Sequence, residues 1–137
     1  MLAAALAASA CASTSVLHEF TTDGCSLFPD GDGVAPQRWR DCCVNHDVAY
    51  WRGGSVNERQ RADSGLRACV LERSGRPALA TLMYCGVRLG GTPWLPTGFR
   101  WAYGWGYGRG YAALTTDERQ QAAQKLAAYP LACCQKQ

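Results

Sequence analysis

Residues 41–51 read DCCVNHDVAYW, and this stretch decides the fold. A helix is predicted over residues 37–51, because the two glycines that follow it suit a helix C-terminus. Positions three and four apart share one face of a helix. The face that this spacing predicts carries Cys42, Cys43, His46, Ala49 and Tyr50. Asp47 lies about 100° round the helix from His46, so its side chain can serve a different partner.

A second helix is predicted over residues 56–73. Ser55 and Glu58 have the spacing of a capping box, in which each residue's side chain accepts a hydrogen bond from the other's backbone. Only the glycines at 53–54 and the cap itself separate this helix from the first one. So short a connection implies an antiparallel helix pair.

The register of this pair follows from its side chains. In an antiparallel pair, facing residues have a nearly constant sum of residue numbers, and Cys42 with Cys69 and His46 with Asp63 nearly share one sum. Both pairs can therefore be level within about 3 Å. A Cys42–Cys69 disulfide would lock that register and bring Asp63 to the imidazole. Because Asp63 and Cys69 lie about 120° apart, they would meet the partner helix from opposite flanks.

A carboxylate next to a histidine is how a general base is built. The carboxylate fixes the imidazole tautomer and leaves the other ring nitrogen free to accept a proton. No serine or cysteine nucleophile accompanies His46 in the sequence, so the natural nucleophile is water. The sequence therefore predicts a hydrolytic site centred on His46 and Asp63.

The loop at residues 23–36, DGCSLFPDGDGVAP, is a candidate cation site. Its carboxylates and backbone carbonyls are the oxygen ligands that calcium prefers, although it lacks the twelve-residue spacing of an EF-hand. Taken alone, such a loop is usually a turn. A Cys25–Cys43 disulfide would tie it beside Asp47, which could then contribute a carboxylate to the metal.

Composition bounds the protein class. The 137 residues are 47% hydrophobic and 18% charged, as in one folded domain. Eight cysteines indicate disulfides in an oxidising compartment or a metal site, and zinc is disfavoured because there are two histidines and no CxxC pair. The net charge of +3 favours the approach of the protein to an anionic membrane surface. The sequence has no run of Lys and Arg residues of the kind that predicts nucleic-acid binding.

The N-terminus indicates export. Residues 1–11, MLAAALAASAC, resemble the end of a bacterial signal peptide with Cys11 as the lipidated residue. The protein is therefore predicted to be either freely secreted or anchored to the cell envelope by lipid. Residues 12–22 are predicted to be an exposed linker, and residues 23–137 a single domain.

The rest of the chain completes an all-α prediction. The helix pair spans residues 37–73, and a third, apolar helix is predicted over 77–88. Residues 90–111 alternate glycine with aromatic residues and predict an irregular segment. A second capping box opens a last helix over 116–128, which ends the C-terminal region 90–128.

Residues 23–72 resemble the secreted phospholipase A2 superfamily and are most similar to its microbial members. The family's first helix carries CCxxHD with a tyrosine three positions after the aspartate. The matching residues are Cys42, Cys43, His46, Asp47 and Tyr50. Its second helix carries an aspartate six residues before a cysteine, as Asp63 and Cys69 do here. The run DGCS followed by PD is similar to the calcium loop of microbial members.

This resemblance implies a fold and an activity. The fold is a disulfide-clamped antiparallel helix pair with a calcium-binding loop, and the activity is calcium-dependent hydrolysis of the sn-2 ester of glycerophospholipids. His46 would deprotonate the attacking water, Asp63 would hold His46, and Tyr50 would support Asp63. A phospholipid membrane would be the partner and substrate; no oligomeric state is predicted.

The same resemblance implies the metal ligands and the disulfides. Asp47 would bind calcium, and Asp30 with the carbonyl of Gly31 would complete the protein ligands. The implied bridges are Cys25–Cys43 and Cys42–Cys69. The glycine-rich calcium loop of the animal enzymes is missing, which leaves an alternative open: a catalytically silent phospholipase-like module that binds lipid or protein. A different esterase on the same scaffold is a third hypothesis.

Overall fold

The computed structural model describes residues 15–130, and its regular structure is helical. The helices are α1 (Arg40–Arg52), α2 (Val56–Ser74), α3 (Pro77–Gly90) and α4 (Thr116–Ala128). No strand occurs in the described range, so the all-α prediction is confirmed. None of these helices combines the length and the apolar character that crossing a bilayer requires. The predicted leader 1–11, with Cys11, lies outside the described residues.

Helices α1 and α2 form the predicted antiparallel pair. Both connecting glycines have positive φ, 69° at Gly53 and 136° at Gly54, which L side chains rarely adopt. The capping box at the start of α2 is present: Ser55 Oγ accepts from the Glu58 N–H at 3.3 Å, and the Glu58 carboxylate accepts from the Ser55 N–H at 2.7 Å. Local sequence chemistry therefore sets the turn and the entry to α2.

Two helix ends differ from the prediction. Helix α1 begins at Arg40 and not at residue 37, because the N–H groups of Arg38 and Arg40 bond the carbonyls three residues back, as in tight turns. Helix α3 continues to Gly90 and not only to residue 88. Glycine is a weak helix former, but here the α3 ladder extends to it.

Two disulfides fix the helix pair and the preceding loop. Cys42 is bonded to Cys69, which locks the register of α1 and α2. Cys25 is bonded to Cys43, which ties the loop to α1. Both bridges are those that the sequence indicated. Within the described residues Cys85 is a free, exposed cysteine on α3.

The hydrophobic core has two parts. One lies beneath the helix pair, where α2 packs against α3 and Trp39 is buried with residues of both helices. The other is aromatic and is built from Trp51, Trp101 and Trp105. The indole N–H of each of these three tryptophans donates to a backbone carbonyl of a distant segment at 2.7–2.9 Å. The irregular segment 90–111 is thereby packed as core without regular structure.

The predicted exposed linker is mostly exposed over its described part, but two of its residues anchor it to the domain. In residues 15–22, Leu17 and Phe20 are completely or almost completely buried in the aromatic core. The His18 N–H donates to the carbonyl of Gly104 at 2.7 Å, which holds this extended segment on the domain. Two isolated apolar residues make no periodic pattern, so the sequence alone gave no sign of this docking.

Candidate active site

His46 and Asp63 form a buried pair between α1 and α2. The Nε2 atom of His46 lies 2.9 Å from Oδ1 of Asp63, and the two residues are 8% and 0% exposed. An ionised carboxylate can only accept hydrogen bonds, so Nε2 carries the proton and donates a hydrogen bond to Asp63. In the neutral imidazole, Nδ1 is then the nitrogen with a free lone pair. The structure brings together the two residues that the helix register predicted.

Asp63 accepts hydrogen bonds from α1 and α3 and lies near an arginine of its own helix, α2. Besides His46 of α1, the Tyr50 hydroxyl donates to Oδ1 at 2.8 Å, and Arg88 of α3 donates to Oδ2 at 2.7 Å. Arg59, one turn earlier on α2, lies 3.8 Å from Oδ2. Burial raises the pKa of Asp63, but the hydrogen bonds outweigh it and hold the pKa below its usual value. Asp63 is therefore anionic at neutral pH.

Tyr50 occupies the role that the sequence predicted for it beside Asp63. Its hydroxyl donates to Asp63 and accepts from Nε of Arg59 at 3.0 Å. Burial and the nearby Asp63 charge raise the pKa of Tyr50, so the hydroxyl keeps its proton. The tyrosine ring also packs on the His46 ring, with centroids 4.2 Å apart. Tyr50 thus positions both members of the pair.

The two arginines around Asp63 were not predicted from the sequence. Arg59 is four residues before Asp63, a spacing that places both on one helical face, and this signal could have been used. Arg88 is on α3, whose position relative to the helix pair no local pattern determines. Its contact with Asp63 is visible only in the folded protein.

An apolar cleft leads to this pair. His46, Asp47 and Tyr50 line it. Its other walls are mainly hydrophobic and come from the loop, α2, α3 and the irregular segment. The hydrophobic lining residues are Leu27, Phe28, Leu66, Met83, Val87 and Phe99. A mostly apolar cleft with a few convergent polar groups is the usual form of a small-molecule site.

Asp47 lies beside the pair with a different environment. The Thr22 hydroxyl donates to its Oδ2 at 2.6 Å, and the positive charge of Arg40 is near enough to lower the pKa of Asp47. Burial raises the pKa of Asp47 to about 7, against the lowering effect of Thr22, and the charge of Asp23 raises it further. A half-buried carboxylate whose pKa stays raised fits a cation-binding role, because a cation would favour its charged form.

A second carboxylate accompanies Asp47. Asp23 and Asp47 line one cavity together with the hydroxyl-bearing residues Thr22 and Ser26. Carboxylate and hydroxyl oxygens are suitable ligands for a hard cation such as calcium. No set of three or more His, Cys, Asp or Glu side chains placed to hold a metal occurs in the described part of the chain. Calcium there would therefore need backbone carbonyls or water as well.

Asp30 and Gly31, the other predicted metal ligands, make contacts within the loop, and the charge of Asp30 is near enough to raise the pKa of Asp47. The Asp30 carboxylate accepts from the Cys25 N–H at 2.8 Å and forms an ion pair with Arg40. Gly31 serves a tight turn, since a Cβ there would lie 2.1 Å from the Ala35 carbonyl oxygen. Within the described chain, neither residue lines the two cavities that contain Asp47. Asp30 and Gly31 thus stabilise the loop.

Comparison with known proteins adds no identification: no protein-family model, no curated protein and no solved structure matches this chain.

Proposed function

We propose that this protein is a calcium-dependent hydrolase of glycerophospholipid esters, acting at the sn-2 position. The observation that carries the proposal is the buried His46–Asp63 pair, whose histidine lines an apolar cleft together with Asp47. The pair supplies a base, the cleft suits a fatty-acyl chain, and Asp47 is a half-buried carboxylate with a raised pKa. The sn-2 position itself comes from the resemblance of residues 23–72 to secreted phospholipases A2.

The proposed chemistry uses the chain's own residues for the proton. Nδ1 of His46 takes a proton from a water molecule as that water attacks the ester carbonyl. Asp63 keeps the proton on Nε2 and stabilises the positive charge that develops on the ring. Tyr50 holds the Asp63 carboxylate in place through its 2.8 Å hydrogen bond. His46 then returns the proton to the leaving alcohol.

Asp47 and Asp23 are the side chains that would hold calcium in this proposal. Bound calcium would polarise the ester carbonyl and stabilise the negative charge that forms on its oxygen. Asp23 replaces Asp30, because Asp30 is already neutralised by Arg40. Thr22 orients the Asp47 carboxylate through its hydroxyl.

A lipid substrate accounts for the mouth of the cleft. Leu27 is 91% exposed and Phe99 is 40% exposed, yet both line the cleft. Exposed apolar side chains at the entrance to an apolar site are typical of contact with lipid or protein. We infer that the phospholipid surface covers them. The two disulfides favour an oxidising compartment, in agreement with a secreted or lipid-anchored protein.

One assay tests this proposal. Oxidised protein is incubated with labelled phospholipid vesicles in calcium or in chelator, beside His46→Gln and the matched control His18→Gln, whose site is exposed and lines neither cavity that contains Asp47. Fatty acid should be released only with calcium and only while His46 is present. Vesicle binding without release under every condition would instead identify the silent lipid-binding module. Release from simple esters but not from phospholipids would identify a different esterase.

A further inference from the structure

We propose that Arg88 is a positioning residue, which fixes the Asp63 carboxylate so that His46 keeps the tautomer needed in a base. The inference rests on the proposed hydrolytic function. Arg88 lies in the last turn of α3, and its Nη1 donates to Oδ2 of Asp63 at 2.7 Å. No other residue of α3 reaches Asp63 with a side chain, among the described residues.

The two carboxylate oxygens of Asp63 accept hydrogen bonds from different partners. Oδ1 accepts from His46 and Tyr50, at 2.9 and 2.8 Å. Oδ2 accepts from Arg88. A carboxylate can turn about its Cβ–Cγ bond and exchange its oxygens, and terminal torsions of this kind are broad. By holding Oδ2, Arg88 keeps Oδ1 directed at His46.

Arg59 cannot take over this duty, although it lies near the same oxygen. Its Nε is 3.8 Å from Oδ2, beyond hydrogen-bond distance, and donates to the Tyr50 hydroxyl instead. Its Nη1 donates to the Tyr111 hydroxyl at 2.7 Å, and its Nη2 to the carbonyls of Val87 and Arg88 at 2.9 and 2.8 Å. Arg59 therefore anchors the end of α3 that carries Arg88.

Exposure separates a positioning role from a purely structural one. The Arg88 side chain is 28% exposed, whereas Asp63 is 0% exposed. Solvent reaches the guanidinium group, so a small cation can enter the space that a truncated side chain leaves. The structural framework below it, made by Arg59 and the Cys42–Cys69 disulfide, stays in place without Arg88.

The first test is kinetic and uses full-length oxidised protein with phospholipid vesicles and calcium. Arg88→Ala should lower kcat by about 10–100-fold with little change in KM, the usual loss when a residue that orients another is removed. Added guanidinium ion should restore much of the lost kcat, and Arg88→Lys should retain more activity than Arg88→Ala. The matched control is Arg73→Gln, which removes an arginine from an exposed ion pair with Asp41 and should leave kcat unchanged.

The second test does not depend on activity. The ¹⁵N shifts of the His46 ring at neutral pH report which nitrogen carries the proton. Wild-type protein should show the Nε2–H form, and Arg88→Ala should show a mixture that guanidinium converts back. Thermal unfolding of each variant checks that it is folded.

The outcomes separate the two proposals. If wild-type protein releases no fatty acid, the proposed function fails, and the His46 tautomer alone decides the role of Arg88. An unchanged Nε2–H form in folded Arg88→Ala overturns that role. So does a loss of kcat that neither guanidinium nor lysine reverses, since a hole in the structure would behave in that way.

Discussion

Asp47→Asn should stabilise the calcium-free protein at alkaline pH, although it removes the proposed metal ligand. Burial raises the pKa of Asp47 from 3.8 to about 7, and the Thr22 hydrogen bond opposes this only in part. The folded protein therefore disfavours the charged carboxylate. Asparagine has nearly the same shape, carries no charge and can still accept from Thr22.

The magnitude follows from proton linkage. Between pH 3.8 and about 7 the folded protein keeps a proton that the unfolded chain has released, so the free energy of unfolding falls as pH rises. Above about pH 7 the free energy of unfolding has fallen by the full amount that Asp47 can contribute. A shift of roughly three pKa units at about 1.4 kcal/mol each gives at most about 4 kcal/mol. We expect Asp47→Asn to raise the free energy of unfolding by about 2–4 kcal/mol near pH 8, and to change it little near pH 3.5.

Urea unfolding in chelator at these two pH values measures the effect. Asp41→Asn is the matched control, because it makes the same substitution on the same helix at an exposed ion pair with Arg73. Its free energy of unfolding should change by at most about 1 kcal/mol, as for other surface pairs. A gain seen equally in both variants would point to a general charge effect and not to Asp47.

Calcium should reverse the order of the two proteins. At a concentration of about 1,000 times its Kd, a ligand that binds only the folded state adds about 4.1 kcal/mol to the free energy of unfolding, which is as large as the greatest advantage expected for Asp47→Asn. Wild-type protein should gain this stabilisation and Asp47→Asn should not. The reasoning is refuted if Asp47→Asn is less stable than wild type in chelator near pH 8, or if calcium stabilises both proteins equally.

Three further predictions concern the framework. Phe20→Ala should lower the free energy of unfolding by about 3–5 kcal/mol in urea, while Val16→Ala, at an exposed neighbouring site, should change it little. Tyr50→Phe removes a hydroxyl that bonds both the dyad carboxylate and a buried arginine, and should cost about 1–3 kcal/mol in the same assay. The hydrogen bond from Arg109 holds the pKa of Glu118 at about 2, so wild-type stability should fall more steeply than that of Glu118→Gln as pH drops from about 4.5 to 2.

The helix pair and its register could be predicted because their determinants are local. The glycine turn and the Ser55–Glu58 capping box depend on residues within a few positions of each other. The cysteine and His–Asp pairs then needed only the regular rise of two helices. The structure contains both the Cys42–Cys69 disulfide and the contact of His46 with Asp63.

The roles of the two loop aspartates could not be predicted from the local sequence. Asp23 and Asp30 both lie in an Asp/Gly loop, and only the folded path decides which one faces Asp47. A signal was present: Asp23 is two residues from Cys25, and the Cys25–Cys43 bridge draws that end of the loop to α1. Asp30, five residues beyond Cys25, instead folds back on the Cys25 N–H.

The rest depends on contacts between distant parts of the chain. Arg88 reaches Asp63 only because α2 packs against α3, and nothing in the helix pair specifies that packing. Leu17 and Phe20 enter the core because the irregular segment 90–111 builds an aromatic wall for them. A segment without periodicity gives no register from which such contacts could be derived.

The two carboxylates next to His46, Asp63 and Asp47, differ in how far the protein itself compensates their charge. Asp63 is buried with three donors, so its pKa is lowered and its charge is fully compensated by protein. Asp47 is half-buried with one hydroxyl donor, and its pKa is raised. Neighbouring groups with opposite shifts are a recurrent feature of acid–base sites. A module that only bound lipid would need neither a compensated carboxylate behind His46 nor an open carboxylate at Asp47. A hydrolase that uses His46 as a base and calcium at Asp47 would need both carboxylates.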